Sequence, residues 1–222
     1  MRTIRRWSVP QFALLVILTT GCAGDSSTAA QDRELATAVV LTAEDLPGYV
    51  EAEPGSPGGG LKADTCNGPN KTWDERPRKR GASGGDFRRD GDSVRVQSAA
   101  LVTEEETEAQ EAMAYLRRTL SSDCVRENDR ALLAGDDMTI QSFSVEPLPD
   151  LRLGDETVGF RTTARVSSEG KPSTLYFDLL YIRSGRVIGG MMIFQFQTPF
   201  PADERARLAT VMAGRMQGVA AK

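Results

Sequence analysis

Hydrophobic and polar positions change period several times along the chain. After an unbroken apolar run from Phe12 to Leu18, the segment 32–41, "DRELATAVVL", places Leu35, Val39 and Val40 at helical spacing. Thr42 and Asp45 then form a capping-box pattern, and Pro47-Gly48 halts any helix. From 53 to 92 glycine, proline and charge dominate, which predicts irregular loops. Ser93 to Val102 alternates as a strand does. The next segment, 103–124, opens with Thr103 and Glu106 as a second capping box. Ala109, Met113, Leu116, Leu120 and Cys124 follow on one helical face.

The second half is mostly strand. Segments 137–148 and 156–166 read as strands, the latter with Val158, Phe160, Thr162, Ala164 and Val166 on one face. Leu175 to Phe196 gives two strands joined at Arg183-Ser184-Gly185-Arg186, a hairpin signal. Pro201 opens a final helix with Leu208, Val211, Met212 and Met216 as its apolar stripe. No helix separates consecutive strands after 137. The pattern therefore predicts an α+β fold: a mainly antiparallel sheet of about five strands, two or three packed helices and one disulfide.

The leader decides location. Arg2, Arg5 and Arg6 precede the short apolar run, which is well under the roughly 20 residues a spanning helix needs. A positive start and a short apolar core describe an export signal. The following "TTGC" resembles the lipobox of bacterial lipoproteins, which implies that Cys22 carries the lipid, palmitate included, and begins the mature chain. Plain secretion with a cut after Ala23 is the alternative. Acyl chains at about 0.8 kcal/mol per buried methylene would hold the protein on the membrane. The domain reading is thus a signal peptide over 1–21, a lipidated flexible tether over 22–32, and a single domain over 33–219.

Charge and cysteine count narrow the classes. The whole chain has net charge −4, and its leader holds three arginines and no acid, leaving −7 on the remainder. That balance argues against nucleic-acid binding. Cys66 and Cys124 remain, and two cysteines in an exported chain favour one disulfide, closing a loop of about 59 residues worth roughly 4 kcal/mol; two free buried thiols are the alternative. The chain contains no histidine, which excludes Ser-His-Asp and Cys-His catalysis and histidine-ligated zinc. No cofactor is called for.

Two regions could bind something. In 175–182 both strand faces are apolar except at Asp178, and 187–196 is apolar on both faces again. A sheet covered on one side should alternate, so helices cover both sides or one side is a greasy concavity. In the second case Phe177, Asp178, Met191, Met192 and Phe194 are the candidate ligand-binding residues, with the methionines adaptable. Asp178 could serve an enzyme only by meeting another acid or a lysine. The basic stretch Arg76, Arg78, Lys79, Arg80, Arg88 and Arg89 could meet lipid head groups, anionic wall polymer or an acidic partner, or be a solvated loop. "GSPGGGLK" is no phosphate loop, since Leu61 stands where the lysine belongs.

The order of these parts also resembles a family. An opening helix leads to "LTAEDLPGY", a cysteine follows in a loop, and an amphipathic helix ends in a second cysteine. Then come "LGDETVGFR", a hairpin around "YIRSGRVIGG" and a "LATVMAGRM" helix. This is similar to the extracytoplasmic sensor domain of PknH-type actinobacterial serine/threonine kinases and of lipoproteins sharing it. The resemblance implies a cleft for an unidentified ligand; members tend to have two disulfides, and this chain can make one. The combined expectation is a non-enzymatic ligand-binding or sensing lipoprotein on the outer face of the cell membrane. Its partner would be a small molecule, a lipid or an envelope protein, and the alternative is an envelope lipid or glycolipid carrier.

Overall fold

The computed structural model describes residues 24–51, 80–89, 94–120, 138–149, 151–168 and 170–220. Cys22, Cys66, Cys124, Arg76, Arg78 and Lys79 lie outside the described residues, and with them the lipid-anchor and disulfide expectations. The elements are helix α1 (Gly24–Val39), a 3-10 turn (Ala43–Asp45), strands β1 (Tyr49–Glu51), β2 (Gly81–Arg89) and β3 (Val94–Val102), and helix α2 (Glu106–Leu120). Strands β4 (Met138–Pro147), β5 (Glu156–Ser168), β6 (Lys171–Ser184) and β7 (Val187–Phe196) follow, then helix α3 (Ala202–Ala220).

All seven strands form one antiparallel sheet, ordered β1-β2-β3-β7-β6-β5-β4. The expectation of an antiparallel α+β layer arrangement holds, with seven strands rather than about five. Of the extra two, β1 directly follows the predicted Pro47-Gly48 stop, and β2 lies in the stretch read as irregular. In β2, "GASGGDFRR", glycine marks close approach instead of a loop: a Cβ on Gly84 would stand 2.5 Å from Ser98 Oγ and 2.9 Å from the Leu41 carbonyl oxygen. A register shift between Ser83 and Asp86 absorbs the misfit.

Helix α1 corrects a second expectation. Residues 24–31, read as part of a flexible tether, are helical. Ala29, Ala30 and Gln31 are good helix formers. They continue a helix that Ala36 and Val39 bury against the sheet.

Strand alternation assigns each face. Val96, Val102, Leu180, Ile182, Met191 and Ile193 point to the face covered by α1 and α3, where Leu208, Met212 and Met216 complete the main core. Gly189 lies beneath this contact, with a would-be Cβ 3.0 Å from Met216 Sδ. On the opposite face α2 buries Ala109, Ala112 and Met113 over Val158 and Ile188. The predicted stripe of α2 and the predicted face of β5 both hold over their described positions; both helical covers contribute to the two-faced apolarity of the hairpin. That hairpin turns through Gly185 at φ 56°, the left-handed first position its two-residue turn needs.

Ion pairs tie the layers. Arg215 on α3 makes two 2.8 Å hydrogen bonds to Asp45 and a third to the Val40 carbonyl. Asp45 also accepts from the Thr42 amide at 2.8 Å, as the first capping pattern implies. The second pattern does not form. The Thr103 hydroxyl faces the carbonyls of Glu105 and Arg186, and the Glu106 carboxylate takes Arg183 instead. Arg183 also reaches Asp155, Glu156 and the Gly185 carbonyl, so a buried guanidinium outcompetes a backbone amide for the acid.

Candidate functional site

The five residues singled out on the hairpin do not converge. Successive side chains on a strand take opposite faces, so Phe177, Met192 and Phe194 lie on the α2 face while Asp178 and Met191 lie on the other. Phe177 and Phe194 stack with centroids 4.4 Å apart at 24°. Phe160, Tyr181, Leu116 and Met192 pack around Phe177 and its neighbour Leu179. Met191 is buried in the core beneath α1 and α3.

Asp178 is locked. It is 2% exposed and accepts two 2.6 Å hydrogen bonds from Arg161 and one of 2.8 Å from Arg205. Two guanidiniums engage both of its oxygens, which leaves neither free for the general-acid role an enzyme would ask of it. The hydrogen bonds that Arg161 donates to Asp178 raise the Arg161 pKa against the opposing effect of burial. Asp32 on α1 repeats the arrangement, 3.0 Å from Arg80 and 2.8 Å from Arg186.

Of the described basic residues, Arg80 and Arg89 are structural in their contacts. Arg80 joins Asp32 and Glu104. Arg89 lies over the Tyr49 ring at 4.9 Å and 3.5 Å from Glu204. Tyr49 donates to Glu204 at 3.1 Å, and burial, then the Glu204 charge, pushes its hydroxyl well above the ordinary value. Arg80 directly precedes β2, and Arg88 and Arg89 lie on it, so these three do not form a solvated loop.

Sequence reasoning missed what adjoins the aromatic pair. Register places Arg95 of β3 directly opposite Phe194 of β7, and Arg88 of β2 opposite Arg95. Met192 and Phe194 are half-buried, and Phe196 on the same face is 38% exposed. The alternation of "SVRVQ" carried the signal: it put Arg95 and Gln97 on the face away from Val94 and Val96. The site is therefore an apolar shelf on β7 bordered by a charged pair of strands.

Among the described residues there is no group of three or more acids, cysteines or histidines placed to hold a metal. Among them too, no helix is long and apolar enough to cross a membrane.

No protein-family profile and no curated protein matches the chain. Among solved structures it is similar to the extracellular domain of PknH from Mycobacterium tuberculosis, at 10% identity and a TM-score of 0.33. The match covers 62% of this chain and 63% of that one, less than two thirds of either. A score of that size says nothing about shared residues or activity.

Proposed function

We propose that this chain is a lipid-anchored, extracytoplasmic, non-enzymatic binding domain whose ligand rests on the α2 face of the sheet beside β7. The observation that carries the binding part is the row Met192, Phe194 and Phe196. These apolar side chains stay partly exposed on a face whose neighbouring residues α2 buries. Partly exposed aromatic surface next to polar groups is the composition of a recognition site. Asp32 and Asp178, each occupied by two arginines, favour a non-catalytic role, and the leader with Cys22 supports the location.

Purifying the Cys22→Ala protein, which lacks the proposed anchor, without detergent from an exporting host and weighing it by native mass spectrometry tests the reading. A reproducible added mass that denaturation releases is expected. Acyl-chain mass would make the protein a lipid carrier. A protein that emerges bare, and stays bare after exposure to an extract of the host envelope, overturns the binding reading.

A further inference from the structure

One row of side chains crosses the α2 face at a single level: Arg88 on β2, Arg95 on β3, Phe194 on β7 and Phe177 on β6. Neighbouring strands stand about 4.8 Å apart, so charge and ring are one spacing from each other. Two like charges directly opposite on paired strands weaken the pairing. Asp86 answers both: it takes Arg95 through two hydrogen bonds and lies 3.7 Å from Arg88. Among the described residues of this row one carboxylate stands between two guanidiniums, an excess of one positive charge in a chain whose total is −4. The patch is open to solvent, with Arg88 53% and Arg95 28% exposed.

We propose that this row takes a single anionic amphiphile, with a phosphate or carboxylate head on Arg88 and Arg95 and hydrocarbon on Met192, Phe194 and Phe196. The inference deepens the binding reading and rests on it. A cationic head would face the arginines unfavourably. An uncharged one would cover them without compensating their lost hydration. A small anion alone would leave the apolar half of the row wet. Only an amphiphile with negative charge at one end matches both halves of the row. Arg88 suits the head because planar guanidinium donors meet two oxygens of a phosphate or carboxylate at once, while Arg95, whose Nε and Nη2 already hold Asp86, adds charge beside it.

The test titrates the purified protein with dodecyl phosphate, dodecyltrimethylammonium and dodecyl maltoside, each below its micelle concentration, and with inorganic phosphate. Calorimetry should show dodecyl phosphate binding one to one, about tenfold or more tighter than the other amphiphiles, with inorganic phosphate weakest. Arg88→Gln and Phe196→Ser, both at exposed positions, should each weaken it about fivefold with thermal melting unchanged. Equal affinity for the three heads, or no effect of either substitution, overturns the assignment. No binding of any amphiphile also overturns it. If the exported protein nonetheless carries a different, releasable mass, the binding reading survives and only this inference falls.

Discussion

Replacing Asp178 with asparagine changes almost no volume and keeps one acceptor oxygen, so it isolates the charge. In the native protein that carboxylate receives three charge-assisted hydrogen bonds, of 2.6, 2.6 and 2.8 Å. Removing one member of a buried ion pair costs about 3–5 kcal/mol, because the partner's charge is left uncompensated. Two arginines lose their partner here, but unequally. Arg161 is 23% exposed and recovers part of its hydration, whereas Arg205 is 5% exposed and recovers little. The loss should therefore fall near the low end, about 3 kcal/mol. With a urea slope of about 2 kcal/mol/M, the unfolding midpoint should drop by roughly 1.5 M at neutral pH, read by circular dichroism. Arg161→Met should cost less, since it leaves an intact Asp178–Arg205 pair. Replacing all three members by Leu or Met of similar volume should return the midpoint towards wild type. A midpoint shift below about 0.3 M for Asp178→Asn would falsify the argument that Arg205 depends on this carboxylate.

Other expectations follow from separate parts of the fold. Burial alone would raise the Asp45 pKa, but the Thr42 amide and Arg215 outweigh it and hold it below the ordinary 3.8. A depressed carboxylate contributes stability above its unfolded pKa and loses it as pH falls through the folded one. Asp45→Asn should accordingly flatten the pH dependence of stability from about pH 4 downward, measured by urea titration across that range. Gly154 has φ 63°, and a Cβ there would meet the Arg183 carbonyl oxygen at 2.3 Å, so Gly154→Ala should cost about 2 kcal/mol or more in the same assay. Cys22→Ala should release the exported protein from membranes and abolish acyl mass; retention on the membrane would refute the anchor. Non-reducing peptide mapping should find Cys66 joined to Cys124, and free thiols would refute that staple.

Periodicity carried the parts of the fold where one face is buried and the pattern is clean. The stripe Ala109, Met113, Leu116 on α2 and the alternating face of β5 could be read because each residue's environment depends on its own element's period. Strand β2 was hidden because Gly84 and Gly85 look like loop residues. The nearness of Leu41 and Ser98 to Gly84, and of Glu51 and Phe87 to Gly85, explains why side chains are missing there. Asp178 was visible as the odd polar residue in an apolar strand. Its partners, 17 and 27 positions away on β5 and α3, were not, since ion pairing across layers leaves no local pattern. The candidate set around the hairpin divides between the two faces for a simpler reason: Phe177 and Asp178, like Met191 and Met192, are neighbours in sequence and so face opposite ways. Reading alternation strictly would have split them.

The strand order has a consequence in time. The sheet's centre is the pairing of β3 with β7, whose partnered residues lie about 85 to 100 positions apart, so loop closure across most of the chain precedes the central contacts. Until Val187 to Phe196 has been made, β3 has only β2 to pair with, and the core under α1 lacks both β7 and α3. The domain cannot close from its N-terminal half alone. Were the chain exported unfolded, as one route for the proposed leader would require, that delay would help: a polypeptide lacking its last strand stays threadable until that strand arrives.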